Sequence, residues 1–311
     1  MPILKRKRIL AAKIETTPGT AETLAAADGA MNIFDAMIQN ETEVVQREGQ
    51  GGFSPLPAVL AAYAGRATFK THLIGGGSAG TSPLWATALL PACGFKNTAG
   101  TFTPSSEGPG SNVKTVTLAL YIDGLKKTLR GCMGNCKFTM TAGRPVEVEF
   151  DFRGIWVDPI DASALAPTYP TTAPLRFASS GLTLAAAAIP PVRQFTIDFG
   201  NEVALREDSQ DASGLAYAVV TGRRVNGTLD PESALVASHD VFGIFKAGTE
   251  KALAISLGSA NNIVSFAAPK LQFLKPEEAD RNGVQCENVP YQLNRSVSAG
   301  DDELSIDVQV A

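Results

Sequence analysis

The sequence predicts a mainly β protein made of two tandem antiparallel β-sandwich or barrel domains, each with one short flanking helix. Three observations lead to this prediction. A length of 311 residues suits two domains of roughly 150 residues each. The 29 glycines and 19 prolines supply many turns, and apolar residues alternate with polar residues over several segments. With 44% apolar and 19% charged residues, the composition is typical of a folded chain.

The period-two alternation predicts half-buried strands. It is clearest at residues 146–152 and 304–310, with weaker examples at 116–122 and 138–140. Dipeptides that favour tight hairpin turns, Asp123-Gly124 and Asn282-Gly283, separate such segments. Two short apolar segments, residues 83–92 and 239–246, are predicted to be the flanking helices.

An internal repeat supports the division into two domains. Five segments of the first half have counterparts in the same order in the second half. The pairs of segments begin at residues 47 and 206, 65 and 222, 83 and 239, 114 and 251, and 143 and 282. We therefore expect a first domain at residues 1–156, a Pro-rich linker at 157–174, and a second, degenerate copy at 175–311.

Charge and hydropathy limit the classes of function. Residues 1–155 carry four more basic than acidic groups and residues 156–311 carry eight more acidic groups, so neither half is a basic clamp for nucleic acid. Opposite signs favour pairing of one half with the other, within a chain or between chains. The apolar stretches are too short for a membrane span, and residues 1–13 do not predict a secretory signal. The four cysteines are expected to be reduced and buried.

The sequence offers only weak candidates for catalytic or metal-binding residues. Gly76 to Gly80 satisfies the G-x-S-x-G pattern of serine hydrolases around Ser78, but the antiparallel strands do not suit that fold, and a flexible loop is the preferred interpretation. Cys132 and Cys136 lack the further ligands that zinc needs. The acidic pairs Glu277-Glu278 and Asp301-Asp302 lack a calcium loop. The basic residues 5–8 are interpreted as a nuclear or nucleic-acid patch, a charged strand edge or a docking site for an acidic neighbour. No catalytic residue, metal or cofactor is predicted.

Three segments resemble the tail tube proteins of bacteriophages with long, non-contractile tails. YIDGLKKTLRGCMGNCKFTMTAGRPVEVEFDFRG (residues 121–154) is similar to the family's strand-turn-strand core. KIETTPGTAETLAAAD (residues 13–28) is similar to its N-terminal Thr-Pro-Gly-Thr segment. GGSAGTSPLWATALLPACGF (residues 76–95) is similar to its Gly-rich loop and Trp/Leu helix. The resemblance is good over residues 10–155 and looser beyond.

The resemblance implies a structural virion protein, not an enzyme, that polymerises into stacked rings around a channel for genomic DNA. Its partner is itself, with three tandem chains in a pseudo-sixfold ring, and the tape measure, terminator and distal tail proteins at the tube ends. DNA passes without specific binding, and no membrane is involved. The expected location is the virion tail, after assembly in the host cytoplasm. A secretion-type tube component, a decoration protein and an adhesin are the alternatives.

Two sets of site residues are predicted. Residues 48–64 and 207–220 look like long connections between strands, which are usually functional, and they are assigned to ring stacking. The stacking candidates are Glu48, Phe53, Leu56, Val59, Leu60, Glu207, Asp208 and Leu215. The polar side of residues 146–153 is assigned to the lumen, with contact to a neighbouring subunit as the alternative. The lumen candidates are Glu147, Glu149, Asp151 and Arg153.

Overall fold

The computed structural model describes residues 3–78 and 80–308, and this part of the chain is mainly β with antiparallel sheets, as predicted. The strands of the first half are β1 (Arg8–Ile14), β2 (Ile33–Asn40), β3 (Val44–Arg47), β4 (Leu56–Leu60), β5 (Ala64–His72), β6 (Phe95–Thr98), β7 (Thr101–Pro104), β8 (Val116–Ile122), β9 (Leu125–Thr141) and β10 (Glu147–Asp161). Those of the second half are β11 (Thr183–Leu184), β12 (Ala187–Ala188), β13 (Val192–Asp198), β14 (Asn201–Glu207), β15 (Leu215–Arg223), β16 (Asn226–Pro231), β17 (Glu250–Ser259), β18 (Asn262–Phe273), β19 (Glu277–Arg281), β20 (Val284–Leu293) and β21 (Ser305–Asp307).

Both flanking helices form where the apolar segments predict them. The first is a π-helical turn, Trp85–Leu89, that runs into the short helix α1 (Leu90–Ala92). The second is α2 (Val241–Lys246), whose start is capped because the Asp240 carboxylate accepts a 2.7 Å hydrogen bond from the Gly243 N–H. A 3₁₀ turn, Ala26–Gly29, lies near the N-terminus.

Strand pairing repeats between the halves. In the first half β1 pairs with β8, β8 with β9, β9 with β10, β10 with β5, β5 with β2, and β3 with β4. The second half has the same pattern in β11, β17, β18, β20, β16, β13 and the pair β14 and β15. This repetition of topology supports the duplication that the segment order predicts.

One of the segment matches is wrong in register. Gly65 was matched to Gly222, yet Gly65 lies in β5 while Gly222 lies near the end of β15, the counterpart of β4. In the structure Ala67 pairs with Phe152, and Gly227 pairs with Tyr291. Phe152 and Tyr291 end the matched segments that begin at residues 143 and 282, so they are counterparts. Strand β5 therefore corresponds to β16, with Ala67 matching Gly227 at an offset of 160 residues. A Gly-Arg dipeptide is too short to define a register where the connections differ in length.

Eight strands form one continuous run, called here the main sheet, in the order β2, β5, β10, β9, β13, β16, β20 and β19. The halves join inside this sheet, where residues 137–141 of β9 pair with β13. One apolar cluster contains core residues of both halves. The boundaries at 156 and 175 stay a prediction, and β10 extends to Asp161, into the first residues of the expected linker.

Two expectations about local structure need correction. Strand β8 is buried on both faces, not one, because the N-terminal segment covers its second face: Ala119 and Tyr121 pack with Ala11 and Leu24. The two expected long connections are β-hairpins, with residues 48–55 between β3 and β4 and residues 208–214 between β14 and β15. Leu304, Ile306 and Val308 are buried as predicted, whereas residues 309–311 lie outside the described residues.

Candidate assembly surfaces

The main sheet has one core-facing side and one largely polar side, on which β2 also exposes Phe34 and Met37. On β10, Val148, Phe150 and Phe152 are fully buried, and the four lumen candidates alternate with them on the polar side. Glu147, Glu149 and Arg153 are exposed and Asp151 is half-buried. The sequence therefore predicted the orientation of these four side chains correctly, because strand periodicity alone determines it.

The polar side is less acidic than β10 alone suggests. The Arg66 guanidinium on β5 donates two hydrogen bonds to the Asp151 carboxylate, at 2.7 and 2.5 Å. Lys70 Nζ lies 3.9 Å from the carboxylate of Glu147 and 3.7 Å from that of Glu149. On the other side of β10, Lys137 is the cross-strand partner of Glu149. Cations of the neighbouring strands thus balance the acids, and the face is close to neutral.

Towards the second half the same side carries small polar groups. The hydroxyls of Thr196 and Thr228 are 3.0 Å apart, and Asn135 Nδ2 donates a 2.7 Å hydrogen bond to Asp198. These groups bond to one another along the sheet, so a polymer passing over them meets few free donors for phosphate.

Each end of the main sheet is an edge strand. Strand β2 pairs only with β5, and β19 pairs only with β20, among the described residues. An unpaired edge presents a row of N–H and C=O groups that can pair with another chain. Strand β19 is exposed along nearly its whole length.

The two edges differ in charge: β2 has no basic residue of its own and exposes Asp35, but a basic side chain lies beside it, whereas β19 is acidic. Arg8 lies beside β2, since its guanidinium donates a 3.0 Å hydrogen bond to the Ala36 carbonyl, and it ends the basic run at residues 5–8. Strand β19 exposes Glu277, Glu278 and Asp280. A basic group beside one edge and acidic groups on the other favour head-to-tail contact between copies.

Apolar groups are exposed near both edges. Ile3, Leu4 and Ile160 are exposed beside the β8–β9 turn, to which Leu4 is tied because its N–H donates to Asp123. At the other edge, exposed apolar side chains surround α2 and the start of β20: Leu235, Val236, Phe242 and Val284. Exposed apolar patches on two surfaces that would meet in a contact between copies are typical of an interface.

The β3–β4 hairpin, called here the free hairpin, is the most exposed apolar element. Five of its strand residues, Val44, Val45, Leu56, Val59 and Leu60, are between 42% and 57% exposed, and Phe53 at the tip is fully exposed. Glu48 is exposed beside the tip. An isolated two-stranded hairpin is marginally stable in water, so this element requires a partner surface.

The β14–β15 hairpin, called here the seated hairpin, packs on the first half of its own chain. Ala218 is buried with Val113 and Met133, and Val203, Leu205 and Val220 pack against them. Glu207 and Asp208 remain near its accessible tip, but Leu215 is only 3% exposed, so that stacking candidate does not face a neighbour. Sequence alone did not distinguish the two hairpins, because the surface on which a hairpin packs, called here its seat, is formed by strands distant in the sequence.

The Thr-Pro-Gly-Thr segment forms the seat together with β9. The buried Glu15 carboxylate, 1% exposed, accepts hydrogen bonds from the N–H groups of Gly19 and Gly131, at 2.8 and 2.7 Å, and from the hydroxyls of Thr115 and Thr117, at 2.6 and 2.8 Å. These bonds satisfy a carboxylate that would otherwise be costly to bury. Sequence analysis missed Glu15, although an acid directly after the apolar strand β1 was a usable signal.

Close backbone approach explains two glycines of the seat. Gly19 has φ +82°, and a Cβ there would lie 2.2 Å from the Ala216 carbonyl oxygen. Gly131 has φ +59°, and a Cβ there would lie 2.9 Å from the Tyr217 Cβ. Both positions therefore need glycine for conformation and for space.

An ion pair fastens the tip of the seated hairpin. Arg130 Nη2 lies 2.9 Å from both carboxylate oxygens of Asp211, and Arg130 Nη1 also donates to the Gly19 carbonyl. Hydrogen bonds from the Ser213 hydroxyl and N–H, together with Arg130, lower the pKa of Asp211 to about 2. The Ser213 carbonyl accepts a 3.0 Å hydrogen bond from the Tyr63 N–H, so the tip also contacts the base of the free hairpin.

The structure gives the candidate chemistry no support. The Ser78 hydroxyl lies 3.1 Å from the Thr81 hydroxyl, and Ala79 of the same motif lies outside the described residues. All four cysteines are free and buried, as predicted, and burial raises the pKa of the Cys93, Cys132 and Cys136 thiols. Within residues 3–78 and 80–308, no cluster of three or more potential metal ligands occurs. No helix in the same part of the chain is long and apolar enough to cross a membrane.

Within the described residues, the chain is mainly β, with an open sheet whose two edge strands, β2 and β19, each have one partner. The family model for phage tail tube proteins matches residues 5–299, and the chain belongs to that family. This confirms the resemblance to phage tail tube proteins as a class, extends it over nearly the whole chain, and implies a structural role in the virion tail. No match was found among the curated proteins.

Proposed function

We propose that the chain is the tail tube subunit of a phage with a long, non-contractile tail, and that it polymerises into stacked rings through which genomic DNA passes. The observation that carries the proposal is the eight-stranded main sheet with one polar side and two complementary open edges. Membership of the tail tube family supports self-assembly into a tube. The tape measure, terminator and distal tail proteins are the proposed partners at the tube ends, and the host cytoplasm is the proposed site of assembly.

Ring closure follows from pairing of β2 in one copy with β19 in the next. Inside the chain, the halves already join through β13 and β9, and β13 is the counterpart of β2. A junction between chains would repeat this join, with the basic residues 5–8 near the acidic β19. Because the duplicated chain supplies two such units, three copies form a pseudo-sixfold ring.

The size of such a ring suits its function. Three copies contribute eight strands each, twenty-four in all. At a strand spacing of about 4.8 Å and a tilt of about 40°, a closed barrel of that number measures roughly 48 Å between opposite strands. Side chains of about 5 Å on each wall leave roughly 38 Å, which admits a DNA duplex.

The part of the polar side that the seated hairpin leaves open is the proposed lumen; on the same side the hairpin covers Met133, the cross-strand partner of Arg153. Glu147, Glu149, Asp151 and Arg153 lie on it, balanced by Arg66, Lys70 and Lys137. A near-neutral wall whose groups pair with one another would not hold phosphates, whereas unpaired lysines and arginines would. DNA would therefore pass without specific binding.

Stacking is assigned to the hairpin tips. Glu48 and Phe53 are exposed at the free hairpin, with Leu56 and Val59 on its strands, and Glu207 and Asp208 lie at the seated hairpin. An exposed Phe beside a flexible Gly51-Gly52 pair suits insertion into a neighbouring ring.

Electron cryomicroscopy of the purified protein tests the proposal. We expect open-ended tubes of uniform diameter, with three chains per ring and a continuous inner sheet. Six chains per ring with one half of each in the wall would contradict the ring model. A discrete ring or a monomer that binds a receptor would favour a decoration protein or an adhesin instead.

A further inference from the structure

The two hairpins are equivalent by register. Val44 pairs with Leu60, and Val203 pairs with Val220, at offsets of 159 and 160 residues. In the main sheet, Gln39 pairs with Arg66, and Asp198 pairs with Asn226, at the same two offsets. The face of the free hairpin that carries Val44 and Leu60 therefore corresponds to the face of the seated hairpin that carries Val203 and Val220.

Only one of these equivalent faces is covered in the chain. Val203 and Val220 pack against the cluster that contains Met133 on β9. Val44 and Leu60 are 47% and 57% exposed. An apolar face that is buried in one repeat and open in the other indicates that its seat lies on another molecule.

The position of that seat also follows from register. Gly134, directly after Met133, pairs with Phe152, and Phe273 pairs with Tyr291, the counterpart of Phe152. Gln272, which precedes Phe273 on β18, is therefore the counterpart of Met133. It is half-buried on its own chain, so part of it is open to a partner.

We infer that the free hairpin of one copy packs, through Val44 and Leu60, on β18 around Gln272 of a second copy in the same ring. The inference rests on the proposed function and adds which surface holds neighbouring subunits together beyond the sheet edges. Within one chain, the seated hairpin of the second half packs on β9 of the first half. The proposed contact repeats this arrangement between chains, because the free hairpin of one copy packs on β18 of the copy whose β19 pairs with its β2.

The seat on the second copy is polar, unlike the intramolecular seat. The Gln272 side-chain oxygen accepts hydrogen bonds from Gln292 Nε2 at 3.2 Å and from Asn294 Nδ2 at 3.0 Å. Because these amides already bond to one another, Val44 and Leu60 can cover them without leaving them unpaired. The opposite face of the free hairpin, with Val45 and Val59, stays available for the next ring.

Matched double variants separate the two faces. Val44→Asp with Leu60→Asp should abolish rings and leave folded monomers, measured by light scattering after size exclusion. Val45→Asp with Val59→Asp, equally exposed positions on the other face, should leave rings that no longer stack. The circular dichroism and thermal unfolding of both variants should match the wild-type subunit, because all four positions are exposed. If the first variant forms normal rings while the wild type forms tubes, the inference is wrong and the proposed function stands.

A cysteine pair tests the seat directly. Val44→Cys with Gln272→Cys should form a disulfide between chains in assembled rings under mild oxidation, and a non-reducing gel should show a ladder that ends at three chains. Val45→Cys with Gln272→Cys is the control that should not cross-link, and the native cysteines are all buried. Rings that form without cross-linking of the first pair overturn the inference. A wild-type protein that forms neither rings nor tubes overturns the proposed function as well.

Discussion

Replacement of Glu15 by alanine is expected to destabilise the subunit strongly, since Glu15 is a buried carboxylate that four hydrogen bonds satisfy. Thr115 and Thr117 can rotate their hydroxyls towards other acceptors, but the N–H groups of Gly19 and Gly131 cannot. Each buried N–H left unpaired costs about 1–3 kcal/mol, and the lost charge-assisted bonds add to this. We expect the free energy of unfolding to fall by about 4 kcal/mol.

The melting temperature converts this loss into a measurable shift. With an unfolding entropy of about 2.1 cal/mol/K per residue, the chain of 311 residues should lose roughly 6 °C. The assay is thermal unfolding of the unassembled subunit, isolated by size exclusion and followed by tryptophan fluorescence, because Trp85 is buried in the core.

A nearby carboxylate provides the control. Glu22 accepts a hydrogen bond from the Thr16 N–H and pairs with Lys13 at the surface, so Glu22→Ala should lower the melting temperature far less. Equal melting temperatures for Glu15→Ala and the wild type would refute the reasoning that this carboxylate holds the Thr-Pro-Gly-Thr segment on β9.

Three further predictions concern stacking, the polar face and the attachment of the seated hairpin. Deletion of residues 50–54 removes the tip of the free hairpin and leaves β3 and β4 intact, so electron micrographs should show rings that do not stack. Normal tubes would show that the tip does not mediate stacking. Glu147→Lys with Glu149→Lys adds cations around Lys70. If this face is luminal, tubes should still form and should bind short duplex DNA in a salt-dependent manner. Loss of assembly would show that the face is an interface between subunits. The pKa of Asp211 is lowered, so its ionised form contributes stability that is complete above the ordinary value of 3.8 and is lost as the pH falls towards about 2. Amide hydrogen exchange at residues 208–214, corrected for its intrinsic pH dependence, should therefore become faster as the pH falls from 4 to about 2. Asp211→Asn should remove most of that dependence, and an unchanged dependence in the variant would show that Asp211 does not fasten the tip.

Strand identity and orientation followed from sequence because they depend on local periodicity. The side of β10 that carries Glu147, Glu149 and Asp151 was correct, since successive side chains of a strand point to opposite faces. The hairpin turns at Asp123-Gly124 and Asn282-Gly283 were correct because both residues of each turn have positive φ, which these residue types tolerate.

Whatever depends on contacts between distant segments required the tertiary structure. The charge balance of the polar side comes from Arg66 and Lys70, which are adjacent to β10 only through the register of β5. The burial of Leu215 comes from packing of the second half on the first. The role of Glu15 comes from its contacts with Thr117 on β8 and Gly131 on β9, which are more than 100 residues away in the same half. The sequence by itself determined a mainly β protein with an alternating polar face, and it predicted the duplication. Only the tertiary structure decided that the halves share one sheet, that one hairpin is seated and the other is free, and that Arg8 lies beside one open edge while the acidic β19 forms the other. The reason is that hydrogen bonding and packing between distant strands leave no periodic signal along the chain.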